Sequence, residues 1–208
     1  MSIEIYHCEN SRGMRPIWTA EEMGLEYSVQ MLPFPPRVHK KEFLKINILG
    51  TIPYMIDGSI KMTESVAMSQ YIVDKYGPSK LKVNKAEDEY GNYLNWLHHS
   101  AATLTFPQTV FMRYNLEEPG NADNAATGYR KWFVARLRLL EKELADREYL
   151  CCDRFTIADI CVGYALYLAK LLKINEAFTP NIQRWTDHIF ERSSFKKIKL
   201  LKCEESDT

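Results

Sequence analysis

Gly50-Thr51-Ile52-Pro53-Tyr54-Met55-Ile56-Asp57-Gly58-Ser59-Ile60-Lys61-Met62-Thr63-Glu64-Ser65 is the run that decides how this chain is read. Tyr54, Met55 and Ile56 have the composition of a short strand. Asp57-Gly58 is a strong hairpin signal, and residues 59–62 return as a second strand. A helix starts at Thr63 or Glu64 and continues through Val73 with apolar residues at helical spacing. Pro53 lacks an N–H and stands before a strand. The trans preference of an X-Pro bond is only about 0.5–1 kcal/mol, so a cis bond is within reach there. A cis bond aims the N–H and C=O of Ile52 outward, where they can read an extended peptide as a neighbouring strand would. Glu64 and Ser65, at a helix N-terminus, add a carboxylate, a hydroxyl and open N–H groups. That set suits an amino-acid head, with its ammonium on Glu64 and its carboxylate on Ser65. A plain hairpin followed by a capped helix has the same order of residues.

Working back from this run, Ile3-Glu4-Ile5-Tyr6-His7-Cys8 alternates and reads as a first strand. Residues 9–13 form a polar loop. Residues 14–23 read as a helix with Pro16 in its first turn and Gly24 just past its end. Residues 25–32 alternate again, Pro33-Phe34-Pro35-Pro36 is a rigid loop, and residues 40–45 make a short helix. The order βαβαββα, with a parallel αβ unit and an antiparallel hairpin, predicts a mixed four-stranded sheet.

Working forward, the helix after the hairpin ends near Tyr76-Gly77-Pro78, and residues 79–85 read as a linker. Everything beyond is helical in character. Residues 86–105 carry an aromatic face, residues 107–114 resume after a break at Pro107, and residues 116–124 read as a loop. Residues 127–146 are a long amphipathic helix with Trp132, Leu137, Leu140 and Leu144 inward. Thr156-Ile157-Ala158-Asp159 has capping-box spacing, and the run to Leu172 is apolar nearly all round, as a central buried helix should be. Residues 181–192 and 194–201 complete the chain. The domains are thus expected at 1–78 and 86–208.

Composition sets outer bounds. The chain has 208 residues, 46% hydrophobic and 26% charged, with zero formal net charge. A neutral chain is a poor match to nucleic acid, where affinity rests on phosphate neutralisation. No apolar run approaches a membrane span, and the start has no signal-peptide pattern, so membrane partners are not expected. Five cysteines without framework spacing suit a reducing, cytoplasmic compartment. The adjacent His98 and His99 point about 100° apart on a helix, and no metal-ligand cluster is present in the sequence.

The run Ile52-Pro53…Asp57-Gly58…Thr63-Glu64-Ser65 resembles the glutathione-binding core of the glutathione S-transferase superfamily, and the rest of the chain is similar in order and length. The resemblance implies a thioredoxin-like first domain and an all-helical second domain. It also implies a homodimer, in which Ala67, Met68 and Tyr71 would meet Tyr90, Tyr93 and Leu97 of a second copy. The implied activity is transfer of glutathione, as co-substrate, to a small hydrophobic electrophile. Cofactor contacts would come from Ile52, Pro53, Glu64 and Ser65, with Arg37, His39 or Lys40 meeting the glycine carboxylate. Phe34, Phe106, Met112, Tyr114 and Tyr167 are candidate walls for the acceptor. Aligning Arg15 with the cation that opens the first helix of many relatives brings Ser11 to the catalytic serine of theta-like and bacterial members. Asn10 falls one position earlier, and Tyr6 lies near the catalytic tyrosine of other classes.

The chemistry to be done is ionisation of a thiol. Lowering its pKa from about 8.5 by about two units takes roughly 2.7 kcal/mol, which one charge-assisted hydrogen bond nearly supplies. The thiolate fraction near neutrality rises about 25-fold while nucleophilicity falls about eight-fold, a net gain of only about three-fold. Positioning of the electrophile must carry most of the acceleration. Two other functions fit the same residues. Cys8-Glu9-Asn10-Ser11 has the spacing of a monothiol redox site, which would make the protein a glutathione-dependent thiol–disulfide oxidoreductase. Loss of turnover on the same scaffold would leave a non-catalytic glutathione-binding module.

Overall fold

The computed structural model describes residues 3–203; the outermost ends of the expected domains, 1–2 and 204–208, lie outside the described residues. The chain divides into two compact units, residues 1–79 with 192–208, and residues 80–191.

The first unit is built on a four-stranded sheet in the order β2-β1-β3-β4. Strand β1 (Ile3–His7) pairs in parallel with β2 (Tyr27–Met31) and antiparallel with β3 (Tyr54–Asp57), which pairs antiparallel with β4 (Ile60–Met62). Alternation in β1 buries Ile3, Ile5 and His7 on one face. Helix α1 (Met14–Glu22) connects β1 to β2. It ends as the sequence implies: Gly24 has φ +64°, its N–H reaches Glu21 O, and Leu25 N–H reaches Ala20 O. This double bond pattern satisfies two end carbonyls and needs a residue at ease with positive φ. A short helix α2 (Pro36–His39) and a 3₁₀ turn (Lys41–Lys45) replace the single helix expected at 40–45. The Ile52–Pro53 bond is cis.

The hairpin differs from expectation by one residue. Asp57 is the last strand residue, paired with Ile60, and Gly58-Ser59 forms the loop. Asp57 is held there by its carboxylate, which accepts from Tyr76 Oη at 2.7 Å, Lys75 Nζ at 2.8 Å and Tyr71 Oη at 2.9 Å. Those donors lie on or just after α3 (Ser65–Lys75), which packs on α1.

The last helix, α9 (Ser193–Ile198), packs on α1 and goes with the first unit, although the sequence reading ran the helical domain to 208. Side chains explain the allegiance. Arg192 grips Glu22 through Nε at 2.7 Å and Nη2 at 2.6 Å, Trp18 Nε1 donates to Ser194 Oγ at 3.0 Å, and the Trp18 and Phe195 rings lie 4.8 Å apart.

The second unit is helical. Helix α4 (Tyr90–His98) continues through a π-helical stretch (His99–Thr105) into α5 (Phe106–Met112) and a second π-helical stretch (Arg113–Glu117). The break expected at Pro107 is therefore helix, whereas the loop expected at 116–124 is present but shorter, residues 118–122. A wide π turn before Pro107 accommodates a residue that lacks an N–H and crowds the carbonyl four residues back. Helix α6 (Asp123–Glu143) buries Phe133, Leu137 and Leu140. Trp132 faces outward instead, stacked near Tyr129 with the Arg136 guanidinium 4.4 Å from its ring. Helix α7 (Ile157–Leu171) is the buried centre, followed by α8 (Pro180–Phe190). Its capping box is formed in full: Ala158 N–H donates to Thr156 Oγ1, and Asp159 takes Thr156 N–H at 2.8 Å and Leu150 N–H at 2.9 Å. Among the described residues, no helix is long and apolar enough to cross a membrane.

Candidate functional site

Three segments of the first unit meet near the end of β1, one of the two interior strands of its sheet. The antiparallel register Glu4↔Ile56, Ile5↔Met55, Tyr6↔Tyr54, extended by one step, brings His7 level with Pro53. The loop after β1 therefore leaves the sheet beside the Ile52–Pro53 bond. The third segment, the start of α3, is tied in by a buried hydrogen bond. Arg15, fully buried in the first turn of α1, donates from Nη1 to Ser65 Oγ at 3.1 Å. Arg15 entered the sequence reading only as an alignment marker. The structure makes it the link between the two helix starts.

The loop after β1 is a turn followed directly by helix. Ser11 N–H bonds Cys8 O at 3.1 Å, with Asn10 at φ +58°, a conformation asparagine tolerates. Met14 N–H then bonds Ser11 O at 3.0 Å and the chain winds into α1. Two consequences separate the candidate donors. The Ser11 backbone N–H is spent on the turn, so only its hydroxyl is offered. The Asn10 amide is turned to the Glu9 carboxylate at 3.4 Å.

The Ser11 hydroxyl has a partner that the sequence reading missed. Its Oγ lies 3.0 Å from Nδ1 of His7, a side chain only 1% exposed. Burial pulls the His7 pKa down to about 4, so the imidazole is neutral at physiological pH. Gly13 lies flat against the ring: a Cβ there would stand 2.4 Å from His7 Nδ1. A signal was present in the sequence, because alternation in Ile3-Glu4-Ile5-Tyr6-His7 assigns His7 to the buried face, one step before the loop.

Cys8 and Tyr6 are committed elsewhere. Cys8 belongs to an apolar cluster with Leu32, Phe43 and Tyr54, against which Tyr6, Ile52 and Ile56 pack. Its Sγ faces Pro33 O at 3.6 Å, and burial pushes its pKa up to about 12. At neutral pH such a thiol has almost no thiolate and is a poor nucleophile. The Tyr6 ring packs 5.4 Å from Phe43, and burial together with nearby Glu4 makes its hydroxyl less acidic.

At the start of α3, Glu64 occupies the N-cap position with extended backbone, and its carboxylate caps none of the helix's own N–H groups. Arg37, His39 and Lys40 are all exposed. The structure ties Arg37 to the Gly50 loop: Gly50, at φ +59°, leaves no room for a side chain, because a Cβ would stand 2.7 Å from Arg37 Cβ. Of the expected acceptor walls, Phe34 and Phe106 are exposed, Met112 and Tyr114 are half-buried, and Tyr167 is buried with its ring edge-on to Phe190. Of the residues expected at a dimer contact, Met68, Tyr93 and Leu97 are buried within the chain and cannot meet a partner; Ala67, Tyr71 and Tyr90 keep exposed surface.

A four-stranded mixed sheet with this strand order and these helices is a thioredoxin-like unit, here joined to an all-helical one. Residues 4–80 match the glutathione S-transferase N-terminal domain and residues 122–193 the C-terminal domain. The chain belongs to the glutathione S-transferase family. Glutathione S-transferase 3 of Schizosaccharomyces pombe is 25% identical over 217 residues, covering 98% of this chain and 89% of the relative. Glutathione S-transferase 3 of Zea mays is 29% identical over 192 residues, covering 85% and 83%. Among solved structures, the glutathione transferase URE2P6 from Phanerochaete chrysosporium, in complex with oxidized glutathione, is 28% identical with a TM-score of 0.82, covering 95% of this chain and 94% of that one.

Proposed function

We propose that the protein is a glutathione transferase that ionises the glutathione thiol at Ser11 and transfers the sulfur to a small hydrophobic electrophile. The observation that carries the reading is the Ser11 hydroxyl, held by a neutral, buried His7 at the end of the strand that runs beside β3. The start of α3 is tied to the same helix through Arg15 and Ser65. Glutathione would lie along Ile52 as an added strand, its cysteine amide paired with the Ile52 backbone next to Pro53. Its γ-glutamyl ammonium would meet Glu64, and its carboxylate would meet Ser65 Oγ and the open N–H groups of α3. Arg37, supported on Gly50, is the preferred partner for the glycine carboxylate, ahead of His39 and Lys40. The thiol proton passes to water, Ser11 Oγ–H donates to the thiolate, and the sulfur forms its bond to carbon as the leaving group departs with the electron pair. Asn10 is the second candidate for the donor role. We further infer a cytoplasmic homodimer, two-fold symmetric as is usual for such assemblies. Light scattering at micromolar concentration is its test, and a monomeric mass would count against it.

The experiment is a comparison of binding and turnover. Wild-type protein should be retained on immobilised glutathione and should conjugate a chlorodinitrobenzene. Ser11→Ala should keep binding while raising the bound thiol's pKa by one or two units, about 1.4–2.7 kcal/mol. A midpoint that ignores Ser11→Ala but follows Asn10→Ala transfers the role to Asn10. Retention without conjugation of any electrophile in a panel means a binding module. Reduction of hydroxyethyl disulfide with a glutathione adduct on Cys8 means an oxidoreductase; burial of Cys8 argues against that outcome.

A further inference from the structure

His7 has no place in the reaction as written, yet it is the closest side-chain partner of the proposed donor. Three features surround the contact. His7 ends the central strand, its own C=O accepting from Leu32 N–H at 2.8 Å, so the ring stands on rigid backbone. Its Nδ1 lies 3.0 Å from Ser11 Oγ. Gly13 lies against the ring and directs its N–H at the same oxygen, at a long 3.5 Å.

A neutral imidazole has one N–H and one bare nitrogen, and a serine hydroxyl has one proton. If Ser11 spends its proton on Nδ1, only lone pairs face the sulfur, and these repel a thiolate. If Nδ1 carries the hydrogen, the ring donates to Oγ and the serine proton is free to point outward. We propose that His7 is the positioning residue for Ser11: in the glutathione complex its Nδ1–H donates to Ser11 Oγ and so commits the serine proton to the sulfur. The inference rests on the Ser11 reading above. A donor into Oγ also polarises the O–H bond and strengthens the bond it makes in turn. Burial disfavours a standing imidazolium–thiolate pair, because it pulls the His7 pKa down to about 4 and keeps the ring neutral. Gly13 belongs to the same device, since any side chain there would displace Nδ1.

Substitutions at His7 separate this role from mere packing. Asparagine places an amide nitrogen near the Nδ1 position, glutamine carries its amide farther out, and leucine has no donor. In glutathione complexes followed by thiolate absorbance against pH, His7→Leu should raise the titration midpoint by about one unit. At a Brønsted slope near 0.45, a midpoint moved from about 6.5 to about 7.5 should lower conjugation about three-fold near pH 5.5 and hardly at all near neutrality, with KM for glutathione little changed. His7→Asn should restore the midpoint and His7→Gln should not. The double variant His7→Leu/Ser11→Ala should titrate as Ser11→Ala alone. In long-range nitrogen-15 spectra of the histidine-labelled wild-type complex, Nδ1 should appear as the protonated nitrogen. Protonation at Nε2, an additive double variant, or a folded His7→Asn no better than His7→Leu would overturn the proposal. If His7→Leu does not fold, the asparagine–glutamine comparison and the spectrum decide. A midpoint that moves with Ser11→Ala but not with any His7 variant refutes the role of His7 and leaves Ser11 in place. One that ignores Ser11→Ala removes both.

Discussion

Ser65→Ala tests the joint between the two helix starts, because Ser65 has two jobs that separate experimentally. Before any ligand arrives, its Oγ accepts a 3.1 Å hydrogen bond from the fully buried guanidinium of Arg15. A buried hydrogen bond to a charged group contributes about 1.5–3 kcal/mol. Arg15 has further contacts that survive the substitution, which places the loss toward the lower end. Ligand-free Ser65→Ala should therefore lose about 1.5–2 kcal/mol, roughly a 10- to 30-fold shift in its folding equilibrium. At a urea slope of about 1–3 kcal/mol/M, the midpoint falls by about 0.5–2 M. Of the four tryptophans, Trp18 alone lies in the first unit, so its fluorescence reports this unit. The second job is the proposed contact with the glutathione carboxylate, whose loss should weaken binding by a further roughly 1–3 kcal/mol in calorimetry. Glu64→Ala should show the binding loss without the ligand-free one, since the Glu64 carboxylate caps nothing in its own helix. An unchanged urea midpoint in ligand-free Ser65→Ala would refute the argument that the Arg15–Ser65 bond fastens α1 to α3. Unchanged affinity in both variants would refute the assignment of the γ-glutamyl site.

Gly13→Ala should destabilise the first unit by about 1–3 kcal/mol, because the new methyl meets His7 Nδ1 and the ring must shift; urea unfolding and the bound-thiol titration should move together. Native protein treated with iodoacetamide should be alkylated at the exposed Cys203 and spared at Cys8, whose pKa burial raises to about 12, as read by peptide mass spectrometry. Cys8→Ala should leave conjugation nearly intact. Burial pulls the Asp57 carboxyl up, but hydrogen bonds from Lys75, Tyr76 and Tyr71 outweigh it and hold the pKa below the usual value. Its contribution to stability is thus complete above the unfolded-state pKa and is lost as pH falls through the lower folded value. Asp57→Asn should accordingly flatten the acid limb of a urea-midpoint profile between about pH 5 and 2, and an unchanged slope there would contradict the network.

The first unit was legible wherever the physics is local. Period-two alternation in residues 3–7, the Asp-Gly hairpin signal and Gly24 at a helix end each follow from a few neighbouring residues; the strand and the helix stop lie where these signals put them, and the hairpin lies within one residue. The one-residue error at Asp57 arose because three donors 14, 18 and 19 residues away overrode a turn preference. The same distinction explains the second unit. Thr156 to Asp159 is a local motif and reads correctly, whereas the continuous helix from Tyr90 to Glu117 does not, because a π turn absorbs a proline that local rules treat as a stop. Trp132 was expected on the inward face of the amphipathic helix, with Leu137, Leu140 and Leu144. Its indole instead stacks on Tyr129 and Arg136, a surface arrangement that periodicity does not separate from the true core position at Phe133. The candidate site divides in the same way. Glu64, Ser65 and the proline at 53 lie within one short stretch, residues 53–65, and were visible there. The Arg15–Ser65 bond spans 50 residues and was not. The Ser11–His7 pair lies between: four residues apart, with the strand alternation already assigning His7 to the buried face. Only the turn bond from Ser11 N–H to Cys8 O, which folds the loop back over the strand end, brings hydroxyl and imidazole within reach of each other. That turn needs a residue content with positive φ at position 10, and Asn10 supplies it. The structural role of Asn10 thus accounts for an asparagine beside the serine without giving it the thiolate.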